Sequence, residues 1–190
     1  NASFGQGVTT TPIQNLQALS SIANNGTVLK PYIVSKIVNS KGNTVYEGKR
    51  TELNTVASTD TINQVKNLMY NVVYDGLASS KNYAADNVTV IGKTGTAQIA
   101  SPNGGYLTGN YDYIKSFAGL FPYENPEYVI YVSVKQLVGE TKSIADMVSN
   151  SIEEIAKYKN LVETKSDIDE TKIIKLSNYI SKETILTTDL

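Results

Sequence analysis

The residues best equipped for chemistry form one short run, Gly92-Lys93-Thr94-Gly95-Thr96. The run supplies a cation, two hydroxyl groups and a glycine that leaves the backbone open to close approach by a ligand. One interpretation is a phosphate-binding loop, because such loops end in Gly-Lys-Thr. That loop also needs a glycine further upstream, whereas Val88-Thr89-Val90-Ile91 is typical of a strand. Phosphate binding is therefore the disfavoured interpretation.

The favoured interpretation places the same run along the edge of a strand beside a cleft. Lys93 and the hydroxyl groups of Thr94 and Thr96 can hold an acidic or amide-bearing substrate there. Gly95 has no side chain, so an extended peptide can lie against the strand and bond to its backbone. The Thr96 N–H can then point at a developing oxyanion. A solvated lysine on an ordinary edge strand stays open as the alternative for Lys-Thr-Gly taken alone.

Composition restricts the chemistry that these residues can join. The 190-residue chain contains no cysteine and no histidine, which excludes thiolate nucleophiles, Ser-His-Asp catalysis and most transition-metal sites. We expect no metal and no cofactor. Catalysis would have to use lysine, carboxylates, hydroxyls or backbone N–H groups.

The charge balance argues against a nucleic-acid partner. The formal net charge is −1 and Arg50 is the only arginine, so no basic face is expected. No apolar run approaches the roughly 18 residues of a membrane-spanning helix, the longest strong run being Tyr128 to Val134. The chain starts without an initiator methionine or a signal-peptide pattern, and we expect it to be a piece of a longer product.

Periodic patterns predict helices before and after a set of strands. Thr11-Pro12-Ile13-Gln14 combines an N-cap threonine, a proline at the first helical position and a capping-box glutamine. Apolar spacing predicts further helices from about Thr59 to Tyr74 and from about Ser143 to Lys157. The predicted strands are Tyr32 to Val38, Thr44 to Tyr46, Val88 to Gln98, Ser116 to Phe121 and Tyr128 to Gln136. This order predicts an α/β fold of the α+β type, with an antiparallel sheet covered by helices.

The same periodicity predicts which side chains face the core. On the three helices they are Ile13, Leu16, Leu19, Ile22 and Ala23, then Ile62, Val65, Leu68, Met69, Val72 and Val73, and finally Ile144, Val148, Ile152 and Ile155. The strand from Tyr128 to Val134 is expected to be core. Glu153-Glu154 and Asp167-x-Asp169-Glu170 are expected to be solvated charges, not catalytic pairs or a calcium loop.

Several further motifs stand in order along the chain. They are Phe4-Gly5-Gln6-Gly7, Thr11-Pro12-Ile13-Gln14, Ile22-Ala23-Asn24-Asn25-Gly26, Lys30-Pro31, Lys93-Thr94-Gly95-Thr96-Ala97-Gln98, Gly104-Gly105-Tyr106, Tyr113, Ser116-Phe117 and Asn125-Pro126-Glu127-Tyr128-Val129-Ile130-Tyr131-Val132. With these motifs at these separations, residues 1 to about 158 resemble the transpeptidase domain of class B penicillin-binding proteins. They most resemble the Gram-positive division-type enzymes of the low-affinity or resistance-associated kind.

The resemblance implies a penicillin-binding transpeptidase fold, similar to serine β-lactamases, and D,D-transpeptidase activity. In that family a serine attacks the D-Ala-D-Ala end of a peptidoglycan stem peptide, which β-lactams mimic. Carried over, Lys93 and Thr96 are catalytic: Lys93 assists proton transfer, and the Thr96 N–H is one of two oxyanion donors. The implied substrate-binding residues are Thr94, Gly95, Thr96 and Gln98. The implied partners are stem peptides and β-lactam antibiotics.

The chain departs from the family at the nucleophile. None of its lysines has a serine three residues before it, so the family's Ser-x-x-Lys is absent from the 190 residues. The family's Ser-x-Asn motif occurs only downstream of its usual place, as Ser80-Lys81-Asn82 and Ser101-Pro102-Asn103, both better interpreted as polar turns. We therefore expect the C-terminal part of a transpeptidase domain, inactive alone, whose missing N-terminal half is its partner. A β-lactam-binding sensory relative, or a non-catalytic fragment, is the alternative.

A rise in charge density suggests the domain limits, since residues 140–190 hold 17 of the 35 charged residues. We expect residues 1–158 to be the transpeptidase portion, residues 159–171 a linker, and residues 172–190 a tail that faintly resembles the start of a PASTA module. The family resemblance implies a place on the outer face of the bacterial cytoplasmic membrane, with the anchor outside this chain. The loop from Ala100 to Tyr113 is either a mobile wall of the cleft or an ordinary hairpin excursion.

Overall fold

The computed structural model of the chain describes residues 2, 5–76, 78–140 and 142–161. Its helices are α1 Pro12–Ala23, α2 Thr59–Tyr74, α3 Ala78–Lys81 and α4 Lys142–Tyr158. Its strands are β1 Thr27–Leu29, β2 Lys36–Val38, β3 Thr44–Glu47, β4 Glu52–Thr55, β5 Ile91–Gln98, β6 Tyr113–Phe121 and β7 Tyr128–Lys135. The predicted linker and tail lie outside the described residues beyond Leu161.

Three long strands form the main sheet, in the order β5-β6-β7. Both pairs are antiparallel and keep one register along their whole length. The segment between α1 and α2 folds separately into two small antiparallel pairs, β1 with β4 and β2 with β3. The main sheet is therefore a continuous run of chain, in which each strand pairs with the next one in sequence.

Helices cover both faces of the main sheet. On one face, Ile91 of β5 and Leu120 of β6 form a buried cluster with Met69 of α2, and apolar side chains of α1 border it. On the other face, Phe117 of β6 belongs to a buried cluster with Ile152 of α4. The predicted antiparallel sheet covered by helices is confirmed.

Side-chain oxygens cap the N-termini of the two long helices that precede the sheet. The Gln14 N–H donates to Thr11 Oγ1 at 3.4 Å, and the Thr11 N–H donates to Gln14 Oε1 at 2.8 Å. These reciprocal bonds are the predicted capping box, which is confirmed. In α2, the Thr61 N–H donates to Ser58 Oγ at 3.2 Å.

Two of the predicted inward positions are wrong. Ile13 in α1 is 47% exposed and Leu68 in α2 is 45% exposed, whereas Met69 beside it is 7% exposed. Each helix touches the three described strands of the sheet along a stripe narrower than its apolar face. Leu68 lies about 100° around the helix from Met69 and falls off that stripe.

Strand β7 contributes to the core as predicted, although its side chains are half-buried and Glu153 differs from the prediction. Tyr128, Ile130, Val132 and Val134 pack against the buried cluster that contains Phe117 and Ile152. Glu153 is not merely a solvated charge, since its Oε1 accepts a hydrogen bond from the Asp86 N–H at 2.9 Å. Its carbonyl accepts another from Asn87 Nδ2 at 3.1 Å, which ties α4 to the loop before β5.

Candidate active site

The Lys-Thr-Gly-Thr run lies in β5, at one edge of the main sheet. Within the described part of the chain, β5 has β6 as its only strand neighbour, so its other edge is open. Lys93, Thr96 and Gln98 are exposed, whereas Thr94 and Gly95 are half-buried. The sequence therefore predicted both the strand and its edge position.

Hydrogen bonds show which backbone groups of β5 point towards the open edge. The Ile99 N–H, just beyond the strand, donates to the Asp112 carbonyl at 3.1 Å and so faces the β6 side. Inward and outward backbone groups alternate along an antiparallel strand. The odd-numbered residues of β5 therefore face β6, and the N–H groups of Thr94 and Thr96 point outwards. This is the direction that the predicted oxyanion role of Thr96 requires.

The side chains of the run divide between the two faces of the sheet. Thr94 is paired in register with Phe117, which packs in the α4 cluster, so Thr94, Thr96 and Gln98 lie on the α4 face. Lys93 and Gly95 lie on the opposite face, towards α1 and α2. The structure thus brings the predicted residues together along one edge but not on one face.

The Lys93 ammonium lies at the open edge. Its Nζ donates to the Thr94 carbonyl at 2.7 Å, and the alternation of β5 turns that carbonyl outwards. The two ion pairs found in the described residues join Arg50 to Glu52 and Lys157 to Glu154, so Lys93 has no carboxylate partner there. An exposed cation without a counterion can attract an anionic ligand to this edge.

Close packing against β6 requires glycine at position 95, and the sequence alone did not reveal this requirement. A Cβ at this position would stand 2.5 Å from the Oγ of Ser116, its register partner on β6. Such a distance is far inside van der Waals contact, so a side chain at position 95 would have to displace the Ser116 hydroxyl. The prediction that Gly95 also admits a substrate peptide stays a prediction.

Thr96 has a partner that was not predicted. Its Oγ1 accepts a hydrogen bond from Lys115 Nζ at 3.3 Å, and the two residues face each other across the β5–β6 pair. The Lys115 ammonium also lies 5.3 Å from the centroid of the Tyr113 ring. The signal that could have identified Lys115 is its position two residues before Phe117 on the same strand, because residues two apart lie on the same face of a sheet.

Tyrosines surround the point where the chain enters β5. The Val90 N–H donates to the Tyr74 hydroxyl at 3.2 Å, and burial raises the pKa of Tyr74 to about 12. The pKa of Lys66 is lowered by burial, against the opposing effect of Glu124. Tyr123, whose pKa burial also raises, donates its hydroxyl to Asn67 Oδ1 at 2.5 Å. The Tyr74 hydroxyl therefore anchors the start of β5 to α2, and the Tyr123 hydroxyl anchors the segment after β6 to the same helix.

A cavity of about 430 Å³ lies on the α4 face near the start of β6. Its lining includes Tyr111 from the loop between β5 and β6, Lys115 from β6, and Glu140 and Lys142 near the start of α4. That loop forms a hairpin excursion, with a bridge between Ala100 and Tyr106. Its predicted alternative role as a mobile wall of the cleft stays a prediction.

Metal and membrane features were also sought in the described part of the chain. No group of three or more acidic side chains there could hold a metal ion. No helix among the described residues is both long and apolar enough to cross a membrane.

Comparison with known families decides the class of protein. Residues 1–154 match the family described as the penicillin binding protein transpeptidase domain. The chain belongs to this family. The predicted resemblance to class B penicillin-binding proteins is thereby confirmed.

Three relatives illustrate this membership of the penicillin-binding transpeptidases. Stage V sporulation protein D of Bacillus subtilis is 32% identical over 188 residues, covering 93% of this chain and 28% of that protein. A peptidoglycan D,D-transpeptidase FtsI homolog of Mesostigma viride is 36% identical over 140 residues, covering 67% and 23%. Penicillin binding protein 2X of Streptococcus thermophilus has a solved structure that matches with a TM-score of 0.76 at 29% identity, covering 82% and 24%.

This penicillin-binding transpeptidase chain spans about a quarter of the length of these relatives.

Proposed function

We propose that this chain supplies the Lys-Thr-Gly-Thr strand of a peptidoglycan D,D-transpeptidase, and that the nucleophile lies in a Ser-x-x-Lys segment outside these 190 residues. One observation carries the proposal. At the open edge of β5, the outward N–H of Thr96 lies three residues along the strand from Lys93, whose ammonium has no counterion in the described part of the chain. An oxyanion donor and a cation beside an accessible strand are what acyl transfer to a carboxylate-bearing peptide needs.

The proposed reaction proceeds in two acyl transfers. The serine hydroxyl gives up its proton as its oxygen bonds to the carbonyl carbon of the penultimate D-Ala of a stem peptide. That proton passes to the terminal D-Ala nitrogen, whose bond to the carbonyl carbon breaks, and D-Ala leaves. The amine of a second stem peptide then bonds to the same carbon, the ester bond to the serine breaks, and the proton lost by the amine returns to the serine oxygen.

In this scheme the residues of β5 act through the strand edge. Thr96 donates its N–H to the oxyanion, and Lys93 attracts the substrate carboxylate and assists proton transfer. Thr94 holds the Lys93 ammonium through its carbonyl. Gly95 and Gln98 leave the edge accessible to the extended peptide, so that backbone groups can bond to it.

The same geometry supports recognition of β-lactams, which carry a carboxylate next to a reactive amide. The proposed location is the outer face of the cytoplasmic membrane, where peptidoglycan is cross-linked. Both the anchor and the N-terminal half of the domain would be supplied by segments outside this chain.

The test is acylation by a fluorescent penicillin in the complete transpeptidase that contains this chain. Lys93→Ala should reduce the acylation rate at least about 100-fold, the order of effect expected for loss of a transition-state contact. Lys135→Ala is the matched control, because Lys135 is an exposed lysine on β7, the opposite edge strand of the same sheet, and should leave the rate unchanged. Unchanged labelling of Lys93→Ala would overturn the proposal.

A second experiment addresses the missing nucleophile and the sensory alternative. The 190-residue chain alone should form no penicillin adduct in a mass spectrum, whereas a stable adduct on any of its serines would contradict the proposed position of the nucleophile. In the complete protein, release of D-Ala from a stem-peptide substrate is expected. Acylation by penicillin without D-Ala release would instead indicate a β-lactam sensor.

A further inference from the structure

We infer that Lys115 is a positioning residue that sets the direction of the Thr96 hydroxyl and so makes the strand selective for carboxylate-bearing acyl donors. The inference rests on the proposed function of β5. Lys115 lies on the neighbouring strand β6, and its ammonium contacts the Thr96 side chain rather than the outward backbone groups of β5.

The donor and acceptor capacities of the two side chains fix the direction of the hydrogen bond between them. A lysine ammonium has three N–H donors and no acceptor, whereas a threonine hydroxyl has one O–H donor and two acceptor sites. In the contact between Lys115 Nζ and Thr96 Oγ1, at 3.3 Å, Thr96 must therefore be the acceptor. Its own O–H is left free to donate in another direction.

The Thr96 O–H can donate its hydrogen bond only to an acceptor group of the ligand. A carboxylate accepts and cannot donate, so it satisfies the Thr96 hydroxyl and gains a charge-assisted contact close to a cation. An amide N–H or another ammonium at the same place could bond only to the second lone pair of Thr96 Oγ1. That oxygen already accepts a hydrogen bond from the Lys115 ammonium. The contact thus favours an anionic substrate end over a neutral one.

Two contacts keep the Lys115 ammonium next to the Thr96 hydroxyl. Register pairs the two residues directly across β5 and β6, and the Tyr113 ring, two residues away on the same face, lies 5.3 Å from the ammonium. A cation over an aromatic ring at this distance is stabilised. No carboxylate of the described residues forms an ion pair with Lys115, although Glu140 lines the same cavity. Thr96 is therefore the side chain that receives its hydrogen bond.

The test compares benzylpenicillin with its methyl ester in the complete transpeptidase that contains this chain. Both compounds carry the same reactive amide, but only benzylpenicillin carries the carboxylate. Lys115→Met should lower the second-order acylation rate with benzylpenicillin about 10-fold and leave the rate with the methyl ester within about 2-fold. Lys115→Arg, which keeps a donor-only cation, should recover most of the lost rate.

A double-mutant cycle separates action through Thr96 from a general effect of charge. In a Thr96→Val background, Lys115→Met should cause no further loss, because the hydroxyl through which Lys115 acts is gone. An equal loss in both backgrounds, or an equal loss with the methyl ester, would overturn the inference. Lys135→Met is the control for removing one positive charge from the same sheet.

The cycle also distinguishes the two proposals from each other. If Lys93→Ala leaves acylation unchanged, the proposed function of β5 fails. If Lys93→Ala loses activity while Lys115→Met keeps the full rate and selectivity, only the role of Lys115 fails.

Discussion

The ring of Tyr83 lies flat against the ring of Phe117, with 4.0 Å between centroids and 7° between planes. Phe117 is fully buried and stands directly opposite Thr94 in the sheet register. A Cβ on Gly92 would come within 2.4 Å of the same ring. An aromatic pair thus supports the back of the candidate active-site strand, and glycine at position 92 lets the strand lie directly on it.

Loss of the Phe117 ring should lower the stability of the folded chain. Phe117→Ala should lower the free energy of unfolding by about 3 to 5 kcal/mol, because a fully buried aromatic ring leaves a cavity behind. Tyr158→Ala is the control, since Tyr158 is 82% exposed and its loss should cost less than about 0.5 kcal/mol. Urea unfolding followed by circular dichroism measures both, and equal losses would contradict the assigned core.

The two neighbouring apolar residues of α2 should behave very differently. Met69→Ala should cost about 2 to 4 kcal/mol, because Met69 packs with Ile91 and Leu120 in a buried cluster. Leu68→Ala should cost less than about 1 kcal/mol, because Leu68 is 45% exposed and leaves no closed cavity. Thermal or urea unfolding of the two variants checks this, and the reverse order would mean that the helix is rotated from the described orientation.

The stability of the chain should decline at alkaline pH, in part through Tyr74. Its pKa of about 12 in the folded chain lies above the ordinary value of 10.0, so the folded state resists losing this proton. The stabilisation is complete below pH 10 and is lost as the pH rises towards 12. Between pH 9 and pH 11 the contribution of Tyr74 to the fall is about 1 kcal/mol.

Tyr74→Phe tests this assignment. The variant should be less stable at pH 8 by about 1 kcal/mol, because the Val90 N–H loses its acceptor. Its further decline from pH 9 to pH 11 should be shallower than that of the unmodified chain, whereas the exposed control Tyr158→Phe should keep the full slope. Urea midpoints at each pH supply the measurement, and parallel curves for Tyr74→Phe would refute the role of its burial.

The capping box of α1 should contribute measurably to stability. Thr11→Ala removes the oxygen that accepts the Gln14 N–H and should cost about 1 kcal/mol. Thr10→Ala is a matched control, because Thr10 is exposed and lies one residue before the cap. A difference of less than about 0.3 kcal/mol between the two variants would show that the cap is not formed in solution.

The contact between Gly95 and Ser116 can be tested by paired substitutions. Gly95→Ala should destabilise the chain by about 1 to 2 kcal/mol, because its Cβ would overlap the Ser116 hydroxyl. Adding Ser116→Ala removes that oxygen and should restore most of the stability. If the double variant is no more stable than Gly95→Ala, the strain has another source.

The long strands and helices could be predicted from sequence because their patterns are strong and local. The Thr-Pro-Ile-Gln start of α1 and the apolar spacing of α4 needed no tertiary information, and α4 buries Ile144, Val148 and Ile152 as expected. Strands β1 and β4 were missed because they are only three and four residues long and carry no alternating burial. Leu68 was misplaced because the width of the contact stripe depends on the sheet that the helix meets.

The candidate site was predictable as a set of residues but not as a geometry. Lys93, Thr94 and Thr96 were identified from their types and spacing, and β5 places them at an open edge. Which face each side chain occupies depends on register with β6, and the contribution of Ser116 and Lys115 depends on the same pairing. These contacts depend on the pairing of two strands that are distant in sequence, so neither strand's sequence predicts them alone.

The fixed ends of β5 limit how this region can change in length. Val90 is tied to Tyr74 at one end and Ile99 to Asp112 at the other. One residue inserted or deleted between them would invert every following position, so that the Thr96 N–H would face β6 and the cation would change sides. Insertions and deletions should therefore be tolerated in the loop between Ala100 and Tyr106, whereas the number of residues from Val90 to Ile99 should stay constant.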